Sequence, residues 1–559
     1  MEYARPLHAF RGTFADIPFH RARRVKCDEG KPYCARCVKF GVECDGYALP
    51  NKTPIPPPTS RVLLPRTYSQ LRPLPTLRMY RLNTSPLFAD EQEGRYFTIY
   101  CNEMAQQLRG PFPTSLWDRL IPQTSEAEPF IRHAIIGIGA LSKINQNIKS
   151  ARLLGNLSTV TPNYSYALEQ YGKAIRGFRN MISRGERDIK KVLIACILVF
   201  CFETLHARPG TAVANATSGL MLLLQWMQAN ATQSVEFFLG SEWREQSIDE
   251  DLMTALAGLD LQVLFFLDTR PESVHQFMIE GANKIIPHMP PQFTSLRAAR
   301  NFWSLIMRRN FHFVKIALTR AKAHEMAGYW KYGTEAPWED CANLFPGGNM
   351  FSTPKEPAIE LIPESIRYRE DIDRWSTACK GLFEKIDESG RKDEKITVAL
   401  LKMHAIISHI FLASAFFTSE TQYDMFIPEF RSIMSLLEYT HPYLTTSGSS
   451  LYQFDLGIII GMHMLGCRCR ERETRDKAVK MMYSKQFREG FWDTGTASIF
   501  IGTVRDIEEE NRDENGDLPD HKRVFVTCAF VDLAGRRGIL GLVKRGLEGL
   551  EYLEKRYQY

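Results

Sequence analysis

The sequence predicts an all-α protein in three unequal parts: a small metal-stabilised module at the N-terminus, a proline-rich linker and a large multi-helix domain. Three observations lead there. Four cysteines crowd into the eighteen residues from Cys27 to Cys44. Nine prolines follow between Pro50 and Pro86. From Phe88 onward apolar residues recur at helical spacing, while strand alternation with hairpin turns is largely absent. At 559 residues and 44% hydrophobic content the chain can bury a large core, and its length allows two to four domains.

The parts divide as 1–19, an atypical leading segment; 20–48, the cysteine module; 49–88, the linker; and 89–559, the helical domain. Net charge is only +6, but it is unevenly spread. Through residue 82 there are fifteen Arg and Lys against six Asp and Glu, a local surplus of nine that leaves the remainder at −3. That distribution suits a basic, anion-binding module on a near-neutral body. The opening residues lack the charged start and apolar stretch of a signal peptide, so a reducing, intracellular setting is expected and disulfides are not. The longest apolar run, Val192 to Phe202, is about half the roughly 20 residues that cross a bilayer, and no membrane span is expected.

The spacing of Cys27, Cys34, Cys37 and Cys44 is C-x6-C-x2-C-x6-C. A C-x2-C pair puts two thiolates on one tight turn, and four thiolates can enclose a tetrahedral zinc. So small a module cannot fold on its apolar residues, and metal would supply most of its stability. The linker prolines remove backbone donors and favour extended conformations, giving a semi-rigid spacer. No a/d heptad persists there, so although a homodimer is compatible with the chain, no coiled coil would form it.

After the linker, Tyr96, Phe97, Tyr100, Met104 and Leu108 define one amphipathic helix, and Phe130, Ala134, Ile138 and Leu141 a second. Further helices are expected over about 166–181, 189–205, 216–229, 250–268, 296–326, 367–387, 396–418, 428–438, 454–467 and 474–483. No fixed-period repeat specifies a solenoid.

The segment HRARRVKCDEGKPYCARCVKFGVECDGY, His20 to Tyr47, resembles the fungal zinc binuclear cluster family, in which six cysteines hold two zincs. The resemblance implies that Cys27, Cys34, Cys37 and Cys44 are the last four ligands, with Cys34 bridging both metals. The family's second cysteine falls on His20, an imidazole that is itself a zinc donor type, and its first falls on Ile17, which cannot bind metal. An intact family cluster holds two zincs; this sequence supplies ligands for one or none. Either a different leading segment has replaced the first pair, which the intact pattern from Arg21 onward favours, or the cluster is degenerate and holds a single zinc.

The resemblance further implies a short basic helix in the major groove. Arg23 and Arg24 then occupy base-reading positions, where Arg donates to guanine O6 and N7, and Lys26 makes a further groove or phosphate contact. Arg21, Lys31, Arg36 and Lys39 are expected to neutralise phosphates. Beyond the linker, EGRYFTIYCNEMAQQL, LWDRLIPQTSEAEPFIRHAIIGIGAL, ALEQYGKAIRGF, VLIACILVFCFETL, CRERETRDKAVKMM and REGFWDT resemble the fungus-specific regulatory domain that accompanies such clusters. The implied function is a nuclear, sequence-specific regulator of RNA polymerase II genes that binds double-stranded DNA and engages transcription machinery or co-regulators. The alternative is a regulatory scaffold that does not bind DNA.

Other motifs read as structural. Cys467 and Cys469 lack a second pair nearby, and His404 and His409 lie about 140° apart on a helix rather than on one face. Asp513 to Gly516 resembles part of a calcium loop, but Lys522 stands where the bidentate carboxylate belongs, so a solvated turn is expected. No nucleophile elbow, P-loop or dinucleotide fingerprint is visible, and an enzyme is not expected.

Overall fold

Helices account for nearly all of the regular structure between Glu91 and Glu509 in the computed structural model, and their order follows the apolar periodicity. The structure describes residues 35–39 and 87–558, apart from 113, 155–160, 186–187, 230–248, 267, 323–341, 344–352, 447–451, 533–536 and 547–548. Contacts divide the chain into two units, Met1–Met79 and Tyr80–Tyr559, taken separately below. Within the first, the described part is one short helix, α1 (Ala35–Lys39). The linker expected over 49–88 lies outside the described residues except for its last two.

In the second unit, α2 (Glu91–Ile99) starts where the Asp90 carboxylate accepts the Glu93 N–H at 2.7 Å, while Glu93 accepts the Ala89 N–H at 2.9 Å. It continues through a π-helical turn, Tyr100–Met104, into α3 (Ala105–Arg109). A second π turn, Leu116–Leu120, leads into α4 (Ile121–Ala127). Next come α5 (Pro129–Leu154) and α6 (Thr161–Ser183), which pack as a pair. Gly139 sets the crossing of α5 with α2: a Cβ there would stand 2.3 Å from the Tyr96 carbonyl oxygen, so only glycine lets the two helices approach so closely.

In α7 (Ile189–Leu205) every residue from Leu193 to Thr204 is buried, as its apolar run requires, and the Asp188 side chain caps it on the Lys190 and Lys191 N–H groups. It packs on α5 and on α8 (Pro209–Ala229), and Phe202 stacks on Tyr171 of α6 at 4.0 Å between ring centroids. The central helices are α9 (Glu250–Phe266), α10 (Glu272–Ile285), α11 (Leu296–Arg320), α12 (Ile362–Ser389) and α13 (Lys392–Ser414). By length and composition α13 is long and apolar enough to cross a membrane, yet 78% of its apolar window is buried within the protein, against α11, α12 and the following helix. The C-terminal helices are α14 (Ile427–Thr446), α15 (Ile459–Arg468), α16 (Arg472–Ser484) and α17 (Thr494–Glu509).

The helix-dominated class is as predicted, but several elements differ. Helices α10 and α17 had no sequence-based counterpart. Residues 454–458 form an approach loop rather than the start of α15. The expected scarcity of strands fails at the C-terminus. There β5 (Val524–Asp532), β6 (Arg537–Gly546) and β7 (Gly549–Gln558) form an antiparallel meander, extended beside β5 by the two-residue β1 (Ala342–Asn343). Leu542 faces Leu553 across the β6–β7 ladder. The physical reason is burial: β5 is covered on both faces, so VFVTCAFVD reads as a continuous apolar run without the alternation that marks a half-exposed strand.

A second small sheet joins β2 (Tyr452–Gln453), β3 (Arg488–Glu489) and β4 (Trp492–Asp493). Its purpose is local. Glu489 is buried at the N-terminus of α15 and accepts the N–H groups of Gly457, Ile458 and Ile459 at 2.9, 2.8 and 3.1 Å. A Cβ on Gly457 would meet the Glu489 carboxylate at 2.5 Å. Burial pushes the Glu489 carboxyl up to about 7, against the three backbone donors and the helix end, which favour its charged form. Glu489→Ala leaves three buried donors without an acceptor, and we expect it to lower the unfolding free energy by about 3 kcal/mol or more in denaturant titrations. Glu489→Gln, which keeps an acceptor, should cost clearly less.

Candidate zinc centre and the buried ionic core

The metal-ligand candidates fall mainly outside the described residues: His20, Cys27, Cys34 and Cys44, together with Arg21, Arg23, Arg24, Lys26 and Lys31. What is described is α1, which carries Arg36, Cys37 and Lys39. Cys37 lies on this helix, and Cys34 lies outside the described residues. Val38 and Lys39 are exposed on that helix. The chemistry of the donor set is clear from its count. Four thiolates complete one tetrahedral zinc, whereas two zincs sharing ligands need the two cysteines that Ile17 and His20 replace. The sequence therefore fits a single zinc.

The helical body holds its own concentrations of charge, which sequence reasoning did not identify as sites. One lies where α15, α16, α17 and β5 meet. Glu420, in the 3-10 turn Glu420–Phe426, accepts a bond from Arg468 Nη1 on each of its oxygens at 2.5 Å. Arg470 bridges the two buried carboxylates, reaching Glu508 at 2.8 Å and Glu420 at 3.2 Å. Arg475 pairs with Glu508 at 2.7 Å, and the Val524 N–H donates to Glu508 at 2.8 Å, which fastens the sheet to the helices. Arg523 grips Asp424 at 2.6 and 2.8 Å. Burial alone would raise the Glu508 carboxyl, but Arg470 and Arg475 outweigh it and hold it below the ordinary range.

The second concentration lies between α9, α10 and α11. Asp260 takes Arg270 at 2.6 Å on one oxygen, and Arg308 at 3.1 Å and the His312 Nε2 at 3.0 Å on the other. Arg270 also clasps Asp268. His275 and His312 meet through their Nδ1 atoms at 2.8 Å. Because His312 Nε2–H donates to Asp260, its Nδ1 accepts, and His275 Nδ1–H must be the donor; this fixes both tautomers as neutral rings. Burial, followed by the nearness of His312, pushes His275 down to about 4. Asp260, raised by burial alone, is held well below the usual carboxylate range by Arg270, His312 and Arg308.

The remaining sequence candidates are structural in the fold. His404 is buried and bonds the Gly457 carbonyl at 2.9 Å, and burial pushes it down to about 4. Cys467 and Cys469 are buried thiols, and among the described residues no group of three or more His, Cys, Asp or Glu is arranged to hold a metal. Asp513 closes an exposed turn by accepting the Asn515 and Asp517 N–H groups, with Gly516 at φ 84°.

Two outcomes follow. Arg470→Ala removes the cation that two buried carboxylates share, leaving Glu420 to Arg468 and Glu508 to Arg475, and should cost about 3 kcal/mol in denaturant unfolding, while Arg472→Ala, on the exposed face of α16, should stay within about 0.5 kcal/mol. The second concerns pH. His275 and His404 have folded pKa values below the unfolded value near 6.5, so the unfolded chain binds more protons, and stability is lost as pH falls from about 6.5 towards 4. Each should contribute on the order of 2 kcal/mol of loss between pH 7 and 5. Thermal melts across that range should show the decline, and His404→Gln should flatten it.

Comparison with known proteins gives these geometries a context. Residues 21–54 match the fungal Zn(2)-Cys(6) binuclear cluster domain. The chain is similar to the transcription regulator lscL of Purpureocillium lilacinum, 25% identical over 218 residues that cover 37% of this chain and 48% of that protein. It is also similar to the aspercryptin biosynthesis cluster-specific transcription regulator atnN of Emericella nidulans, 27% identical over 219 residues, 37% of this chain and 33% of that one. The matches thus span less than half the length of these curated relatives. No solved structure matches the chain. With the cysteine spacing inside it, the span 21–54 is similar to a fungal zinc binuclear cluster domain, with zinc as the cofactor it implies, and over part of its length the chain is similar to fungal transcription regulators.

Proposed function

We propose that this chain is a sequence-specific DNA-binding regulator of RNA polymerase II transcription, acting in the nucleus. Residues 20–48 address double-stranded DNA, and the helical body beyond residue 88 serves co-regulators or the transcription machinery rather than catalysis. The observation that carries this reading is the match at residues 21–54, which keeps Cys27, Cys34, Cys37 and Cys44 and the basic run Arg21 to Lys26. A bound zinc would cross-link the two cysteine arms and so supply the folding energy the apolar residues lack. Arg23 and Arg24 donate to guanine edges, and Arg21, Lys26, Lys31, Arg36 and Lys39 neutralise phosphates. The +9 surplus through residue 82 supplies the salt-dependent part of the affinity.

A second reading, a regulatory scaffold that does not bind DNA, is favoured by one feature: Ile17 and His20 stand where the family has its leading cysteines. The two separate on metal content and selectivity. The regulator reading expects one zinc per chain, lost in Cys37→Ser, and sequence-selective mobility shifts. Arg23→Ala or Arg24→Ala should then cost about 1–3 kcal/mol at the preferred site and relax base choice, while Lys39→Ala weakens all sequences alike and flattens the salt dependence. A zinc-free chain, or equal weak binding to every duplex, would establish the scaffold instead.

A further inference from the structure

We propose that the cleft between α8, α9, α10 and α11 is a binding site for a small apolar carboxylate, with Arg308 receiving the carboxylate group. Its walls are apolar and adaptable: Met227 closes it from α8, Met253 from α9, and Phe277 and Met278 from α10. Thioether side chains can repack around differently shaped guests. The cavity is about 120 Å³, close to the size of an apolar cavity that accepts a single benzene ring. That size sets the apolar body of the guest at about one ring or a short alkyl chain.

The polar end gives the headgroup. Among the lining residues three are cations, Lys284, Arg308 and Arg309, and Glu280 is the one carboxylate. Arg309 is saturated, with Nη1 on Asp371 at 2.6 Å and the rest of its fork on Asn310. Arg308 is different. Its Nε is fixed on Asp260 at 3.1 Å, while its Nη2 has only the Met278 thioether at 4.0 Å. A thioether is a weak acceptor, so a pre-aimed guanidinium N–H faces the cavity with capacity to spare. Asp260 is itself pinned by Arg270 and His312, which makes Arg308 a rigid, pre-organised donor rather than a mobile surface arginine.

One backbone feature points the same way. Gly281 sits inside α10 on the cavity wall, and a Cβ there would meet nothing within 4 Å. Glycine weakens a helix interior relative to alanine, and here no neighbouring atom demands it. Its absent side chain leaves the space that the guest would fill.

The test is isothermal titration calorimetry of the full chain with phenylacetate and its neutral counterpart 2-phenylethanol. Saturable phenylacetate binding is expected, with the alcohol at least about tenfold weaker because it lacks the charge that Arg308 reads. Gly281→Leu fills the cavity and should abolish binding without lowering the melting temperature, so loss of the site is distinguished from loss of the fold. Arg308→Met should bring the acid and the alcohol to similar affinity; because Arg308 also braces Asp260, the Gly281→Leu result stands independently of whether that variant folds. No saturable phenylacetate binding, equal affinity for the alcohol, or unchanged binding in Gly281→Leu would each overturn the proposal.

Discussion

A carboxylate removed from water must find its charge or its hydrogen bonds inside the protein, and the helical body is organised around three that do so. Glu508 is matched by Arg470, Arg475 and the Val524 N–H, Asp260 by Arg270, Arg308 and His312, and Glu489 by three backbone donors at the start of α15. Apolar packing alone tolerates many arrangements of helices, because dispersion and hydrophobic burial carry little direction. These contacts do carry direction. Each ties separate elements together: α16, α17 and β5 through Glu508, α9 and α11 through Asp260, and β3 with α15 through Glu489. The cost of leaving any one of the carboxylates unmatched is what selects this arrangement over its near alternatives.

That requirement also explains what was legible in the sequence and what was not. Helices α2 and α5, by their apolar period, and α7 and α13, by their nearly unbroken apolar content, are plain from their apolar residues alone. Boundaries were less visible: α8 begins at Pro209, seven residues before its apolar stripe becomes clear, because proline is well suited to a helix start but does not add to the pattern. Helix α17 opens on TGTAS, weak helix formers, and is held instead by the Asp493 cap on Thr496 and by packing on α15 and α16. Strands β5 and β6 escaped notice because burial of both faces erases the period of two. The segments CRERETRDKAVKMM and REGFWDT carried a family resemblance but gave no hint of their physical role. Sequence spacing places Arg470 and Arg475 on one stretch of chain, but the partner Glu508 lies more than thirty residues away, and only the fold brings them together.

In the N-terminal cysteine module the governing quantity is the number of donors. The basic run and the cysteine spacing were legible at once, since metal ligation is a local property of a short segment and does not depend on long-range packing. Sequence is here as informative as structure, because the count of four thiolates limits the stoichiometry whatever the conformation. The concentration of positive charge within the first eighty-two residues adds a separate physical term, one that acts at long range and is screened by salt. On the proposed reading, metal and charge would do different work: the first would fix a shape, and the second would bring that shape to a polyanion.

The two ionic clusters of the body differ in a way that bears on function. Around Glu420 and Glu508 three arginines converge on two carboxylates, and a backbone N–H completes the set, in a region tied to a sheet and to three helices; such a network resists change. Around Asp260 the carboxylate is equally well matched, but one of its partners, Arg308, retains donors that face an apolar cavity. A group so placed is held by the fold without being used up by it. The neutral His275–His312 pair reinforces this, since two uncharged rings orient the Asp260 carboxylate without adding positive charge that would compete with Arg308 for a bound anion. The surplus at Arg308, set against an apolar cavity, marks a place at which the body has binding capacity left over.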